Sequence, residues 1–374
     1  MKKELIRFRD ELYTRTTGKF EKGRTEIDLL SNKAVVSIFR RRAEMLTKKN
    51  GYPDLTEDQK KEVREYYKGC PEFSMIYHSV YTARRGIFDP AYMPDELYYG
   101  YIEPYYVDRE AARYIDNKTY YYRYFDGFNL PDLVAKRVGT LWFDGDEKPI
   151  KNSDVPKLVE KADTELVLKK AENTGGGVGI YFLDKDDPVK DLKEKIRLIS
   201  CDVVIQKAVV QHEVFAKLHP QSVNTLRIMT FLKNDGVEVL GTAMRIGDGD
   251  SRMDNAATGG FFVGITDENK TGPFGVYGSA GGGTNLTHHP SLGYKIEGIE
   301  LPGIDKAKEM AKQMHLRVPK SRIISWDIAI DSAGEPVLIE TNLALGGIDT
   351  FQVCTGPIFG NDTKKICREV FGMK

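Results

Sequence analysis

Two short segments near the C-terminus each alternate apolar and polar residues, and each carries one acid. The first is Ser325-Trp326-Asp327-Ile328-Ala329-Ile330 and the second is Val337-Leu338-Ile339-Glu340-Thr341-Asn342. Such alternation marks half-buried strands. The intervening Asp331-Ser332-Ala333-Gly334-Glu335-Pro336 has the composition of a hairpin loop. Folding about Ala333 and Gly334 sets Asp327 opposite Glu340 and Ser325 opposite Asn342. Side chains alternate along a strand, so Asp327, Glu340 and Asn342 share one face. Opposed residues have Cβ atoms about 5 Å apart, where like charges destabilise. A divalent cation between the carboxylates removes that penalty. Three oxygen ligands without sulfur suit Mg²⁺.

A chain of 374 residues exceeds a single core, so two or three lobes are expected. Lys+Arg and Asp+Glu both number 55, and this balance offers no reason to expect a nucleic-acid partner. No apolar run approaches the ~18 residues of a membrane span. The opening Met1-Lys2-Lys3-Glu4-Leu5-Ile6-Arg7 lacks the apolar core of a signal peptide. Cys70, Cys201, Cys354 and Cys367 are scattered without metal-ligand spacing and read as reduced thiols of a cytoplasmic protein. Residues 1–50 hold fourteen Lys or Arg against seven Asp or Glu, including Arg40-Arg41-Arg42. That excess is either a solvated helix face or a docking surface for an anionic membrane lipid, glycan or partner.

Residues 1–118 read as a helical, tyrosine-rich region. Thr56-Glu57-Asp58-Gln59 has the pattern of a capping box. Residues 66–124 hold fifteen of the twenty tyrosines, which suits either a contact between lobes or a sugar-binding platform. From about residue 119 the texture changes to short strands and glycine-rich loops. Strands are expected at 165–169, 180–183 and 203–206, with a hairpin of 226–231 and 237–245 around Asn234-Asp235-Gly236. A helix near 304–316 precedes the acidic hairpin. Helices and hairpins in runs indicate an α+β fold with antiparallel sheets. The expected divisions are 1–118, 119–208 and 209–374.

The loop Asn173-Thr174-Gly175-Gly176-Gly177-Val178-Gly179 follows Lys169, which lies at the end of an apolar strand. Glycine amides approach phosphate oxygens without a side chain in the way, and an ammonium there adds charge. It is not a P-loop, because strands flank it on both sides and G-x-x-x-x-G-K-[ST] is absent. His288 and His289 have no cysteine or acid partner at a zinc spacing and read as residues capping a turn.

Taken in order, these pieces resemble the ATP-grasp superfamily. They are the strand lysine, the glycine loop, the segment Val204-Ile205-Gln206-Lys207-Ala208-Val209, the strand Asn224-Thr225-Leu226-Arg227 and the final D…E-x-N hairpin. Ser222 to Arg227, Arg245-Ile246-Gly247 through Asp254-Asn255, Gly259-Gly260 and His289-Pro290 are most similar to its sugar-transfer-associated branch, found among polysaccharide biosynthesis proteins. The resemblance covers about residues 110–374. It implies two α+β lobes with antiparallel sheets clamping ATP, behind a helical N-terminal region. It further implies that Lys169 holds ATP phosphates, with Lys136 as an earlier nucleotide lysine and Gly175, Gly176, Gly177 and Gly179 as a phosphate lid. Gln206, Lys207 and Val209 then meet adenine, and His212 or Glu213 meets the ribose. Asp327, Glu340 and Asn342 become Mg²⁺ ligands, and Arg227, Arg245 and Asn255 surround the transferred phosphate and acyl group. The hinge departs from many relatives in carrying Gln206-Lys207 where they have an acid.

The implied activity is an ATP- and Mg²⁺-dependent carboxylate–amine ligase, with small-molecule or glycan-linked acid and amine substrates. Alternatives are a kinase acting on a hydroxyl acceptor and a non-catalytic nucleotide-binding partner of glycosyltransferases.

Overall fold

The computed structural model describes residues 32–172, 179–277 and 284–372. Gly175, Gly176 and Gly177 lie outside the described residues, as do residues 1–31 of the basic N-terminal stretch.

Twelve strands form two antiparallel six-stranded sheets. The first contains β1 (Leu133–Val138), β2 (Leu141–Asp144), β3 (Pro149–Ile150), β4 (Leu166–Lys170), β5 (Ile180–Phe182) and β6 (Val203–Lys207), in the order β3-β2-β1-β6-β4-β5. The second contains β7 (Leu226–Lys233), β8 (Gly236–Ile246), β9 (Phe261–Ile265), β10 (Thr271–Tyr277), β11 (Ile323–Ile330) and β12 (Pro336–Asn342), in the order β10-β9-β8-β7-β11-β12. The α+β expectation holds. Lys233 pairs with Gly236, so Asn234-Asp235 is the two-residue turn of the β7–β8 hairpin.

Alternation gives the first sheet two different faces. Ala135, Leu166, Leu168, Val203 and Ile205 form its core with Val155, Val159 and Leu192 of the covering helices Val155–Glu160 and Pro188–Arg197. On the opposite face, Lys136 and Lys169 stand level on either side of Val204, and Val167 is level with Gln206. The cationic and amide side chains of this lobe therefore line one surface.

Every residue of β11 is buried, which corrects the expectation of a half-buried strand: β11 is an inner strand covered on both sides. Ile324, Trp326, Ile328 and Ile330 share a core with Ile304, Ala307 and Met314 of the helix Ile304–His315. The other face carries Ser325 and Asp327.

The N-terminal helices pack into that same core. Phe39 stacks on Tyr99 with ring centroids 4.2 Å apart, and Tyr106 meets Phe231 of β7 at 5.1 Å. Tyr67, Tyr77, Tyr81, Tyr98 and Tyr121 are also buried. The capping box is formed: Gln59 N donates to Thr56 Oγ1 and Thr56 N to Gln59 Oε1. Arg40 and Arg42 of the basic stretch are tied inward, to Glu96 at 2.8 Å and Asp349 at 2.5 Å. Among the described residues no helix is long and apolar enough to cross a membrane.

Candidate active site

The acidic hairpin has the expected pairs: Asp327 opposite Glu340 and Ser325 opposite Asn342. The route to that register was not visible in the sequence. Nearer the turn the pairing is Ile328 with Leu338 and Ile330 with Pro336, one residue out of step. A bulge between Leu338 and Glu340 absorbs the extra residue. Without it, Asp327 would oppose Ile339 and Glu340 would turn to the other face.

Across the sheet, Arg227 on β7 lies opposite Asp327 on β11. Arg227 binds Asp327 through two nitrogens, Nε at 2.5 Å and Nη2 at 3.0 Å. Arg245 on β8 adds Nη1 at 2.7 Å from Oδ2 of the same carboxylate. Asn342 Nδ2 also faces that oxygen, at 3.4 Å. Burial would raise the Asp327 carboxyl, but the two guanidinium groups outweigh it and hold the group below the usual carboxylate range. Glu340 has its own cation, Lys118 Nζ, at 2.8 Å. The two acids are thus compensated separately by protein cations, so their opposition does not by itself require a metal ion.

Lys169 is half-buried on the facing lobe, and its ammonium makes no hydrogen bond among the described residues. Burial, and then the neighbouring charge of Lys118, push its ammonium down to about 8, while Glu340 pulls the other way. A desolvated cation beside a second cation is the electrostatic signature of an anion site. Lys118 was not singled out from the sequence. It sits in a short turn capped by Asn117, whose Oδ1 accepts from Thr119 N at 3.0 Å, and no periodic pattern marks it. Its backbone amide donates to Ala171 O at 2.9 Å, which fixes it against the end of β4.

Lys136 is fully buried and committed elsewhere, to the Thr119 carbonyl at 2.6 Å and to Glu147. Gly179 has φ +79, and a Cβ there would lie 2.7 Å from Lys170 Cδ, so only glycine suits the start of β5. Gln206 is buried, donates to Tyr122 Oη at 2.6 Å and leaves its Oε1 without a partner. Lys207 pairs with Asp132 at 3.4 Å. Val209 is half-buried in the link to the second lobe, which His212 N anchors by donating to Ile330 O. His212 Nδ1 caps the helix Glu213–Leu218, and Glu213 pairs with Lys217 at 3.6 Å. Asn255 follows Asp254, whose Oδ1 lies 3.1 Å from Arg245 Nη2. His289 caps a turn, accepting from Leu292 N at 3.1 Å.

Asp327, Glu340 and Asn342 offer only oxygen donors on one face, and this donor set fits Mg²⁺. Glu340 and Asn342 are half-buried, whereas Asp327 is sealed among the arginines. Among the described residues no three His, Cys, Asp or Glu side chains form a metal-binding group. The site instead combines four cationic side chains (Lys118, Lys169, Arg227 and Arg245) with Asp254, Asp327 and Glu340, at the seam between two sheets.

The chain is similar to several solved structures. D-alanine–D-alanine ligase from Bacillus anthracis is 15% identical, with 69% of this chain and 67% of that chain covered and a TM-score of 0.38. D-alanyl-alanine synthetase A from Vibrio cholerae is 13% identical, with 71% and 67% covered and a TM-score of 0.41. N5-carboxyaminoimidazole synthase from Aspergillus clavatus is 10% identical, with 64% and 47% covered and a TM-score of 0.38, so the chain spans about half of that protein's length. No curated protein sequence matches. A family profile described as "Sugar-transfer associated ATP-grasp" matches residues 98–368, well over half of the chain. This protein belongs to the sugar-transfer-associated ATP-grasp family.

Proposed function

We propose that the protein is an ATP- and Mg²⁺-dependent carboxylate–amine ligase working on a glycan-linked or sugar-derived substrate. The observation that carries this reading is the surplus of cations at the seam: Lys118 and Lys169 on one side, Arg227 and Arg245 on the other. Such a site suits positioning and charge neutralisation, which phosphoryl transfer to a carboxylate requires.

In this reading Lys169 and Lys118 bind the nucleotide phosphates. Glu340 and Asn342 would hold Mg²⁺, beside Asp327. The metal would neutralise phosphate oxygens. A substrate carboxylate oxygen attacks the γ-phosphorus, the bond to the ADP oxygen breaks, and an acylphosphate forms. Arg245 and Arg227 stabilise the negative charge on the moving phosphoryl group and then on the tetrahedral oxygen. The amine attacks the acyl carbon, loses a proton and expels inorganic phosphate. The family's association with sugar transfer supports a glycan-linked acid or amino sugar as one partner.

The test is an ADP-release screen over amino acids crossed with uronic acids and amino sugars. Active pairs are then followed with ¹⁸O in the carboxylate. One label should reach inorganic phosphate, and hydroxylamine should trap a hydroxamate. A stable phosphorylated alcohol would establish a kinase instead, and AMP with pyrophosphate would establish adenylation.

A further inference from the structure

The loop between β8 and β9 makes two contacts that face different lobes. Asp254 serves the second lobe: besides Arg245, it accepts from Thr225 N at 2.9 Å and Thr225 Oγ1 at 2.5 Å. Two residues earlier, Arg252 reaches the first lobe. Its guanidinium lies 3.6 Å from the centroid of the Phe182 ring, and its Nη2 lies 2.5 Å from Glu165 Oε2. Phe182 ends β5 and Glu165 immediately precedes β4, so both belong to the hairpin that flanks the glycine-rich segment.

The stretch joining these contacts is held along its length. His219 and His289 donate from Nε2 to Gly249 O at 2.9 Å and Gly247 O at 3.0 Å. Ser251 Oγ donates to Met253 O at 2.9 Å, and Met253 bridges to Val223. A Cβ on Gly247 would lie 2.3 Å from Ser222 Oγ, so the backbone is packed hard against that turn. A segment pinned this way moves as a unit. At its far end Arg245 is buried with two nitrogens held by Asp254 and Asp327, while its Nε has no partner. The guanidinium's orientation is therefore set jointly by Asp327 and by Asp254, the partner carried on this segment.

We propose that Arg252 is a positioning residue that couples closure of the first lobe to the placement of Arg245, through the segment 247–254. The role given to Arg245 rests on the ligase reading; the mechanical link does not. Arg252 is 45% exposed, so its ring contact and ion pair bias the closed arrangement only about fivefold to tenfold. That strength suits a contact that breaks and reforms in each cycle.

The experiment is hydrogen exchange on the full chain, wild type against R252A and R252K. R252A should melt within a few degrees of wild type because the side chain is half exposed. Without nucleotide, R252A should exchange several-fold faster both at 180–182 and at 245–254, with R252K intermediate because it keeps the ion pair and loses the flat stacking. Faster exchange at 180–182 alone, or no change, overturns the link. With MgATP added, wild type should slow in both regions and R252A only in 180–182. A wild-type protein that binds no MgATP overturns the ligase reading, and the nucleotide-free comparison still decides the link.

Discussion

Lys118 donates its ammonium to Glu340 across 2.8 Å and so joins the turn before the first sheet to the last strand of the second. The same lysine depresses the ammonium of Lys169. One residue thus sets the charge on both sides of the seam. Lys118→Met is expected to weaken ATP binding roughly tenfold or more, the size of a lost charged contact. It should also shift the titration of Lys169 upward. Calorimetry across pH checks both; an unchanged affinity and an unchanged profile would remove Lys118 from the site.

In the ligase reading, Lys169 should make nucleotide binding pH-dependent. Phosphate binds the protonated ammonium, whose pKa is about 8 in the free protein. Affinity for ATP should therefore fall about tenfold between pH 7 and pH 9. Lys169→Arg keeps its charge over that range and should flatten the profile.

The same residue opposes folding at neutral pH. Its folded pKa lies below the 10.5 usual for lysine, so the unfolded chain binds the proton more tightly between about 8 and 10.5. The penalty is fully present below pH 8 and is withdrawn as pH rises toward 10.5. Nucleotide-free Lys169→Met should be more stable than wild type at pH 7 by on the order of 1–3 kcal/mol, discounted for partial exposure. The gap should narrow by pH 10 in denaturant titrations. Equal stability at both pH values would mean that the ammonium is already compensated.

Asp327→Asn should destabilise rather than relieve repulsion. It takes the shared carboxylate from the buried Arg245, which keeps only Asp254, and from the half-buried Arg227, a change that costs about 3 kcal/mol. Asp327 has a depressed folded pKa, so its contribution is present above the unfolded value and is lost as pH falls through the folded one. Wild type should lose this increment in acid and the variant should not. A variant that melts higher at neutral pH would restore the like-charge argument.

Glu340→Gln addresses the metal. The amide keeps the shape of the side chain and removes the charge from a half-buried proposed ligand. The Mg²⁺ concentration for half-maximal turnover should rise severalfold, and the melting temperature should fall because the buried Lys118 loses its charged partner. An unaltered Mg²⁺ requirement would exclude Glu340 as a ligand.

The sequence by itself determined the elements and the acids. The alternation around Asp327 and Glu340, the Asn234-Asp235 turn and the capping box at Thr56 are local, and each formed as the residue pattern dictates. Only the tertiary structure decided what surrounds those acids. Arg227 and Arg245 reach Asp327 from strands about 80 to 100 residues away, and Lys118 reaches Glu340 from 222 residues away. No periodicity encodes such contacts, because they depend on which strands the sheet places side by side. Even the pairing of Asp327 with Glu340 depends on a bulge. Strand alternation is a property of the local backbone, whereas the charge around a side chain belongs to every strand brought beside it, and that exists only once the sheets have assembled.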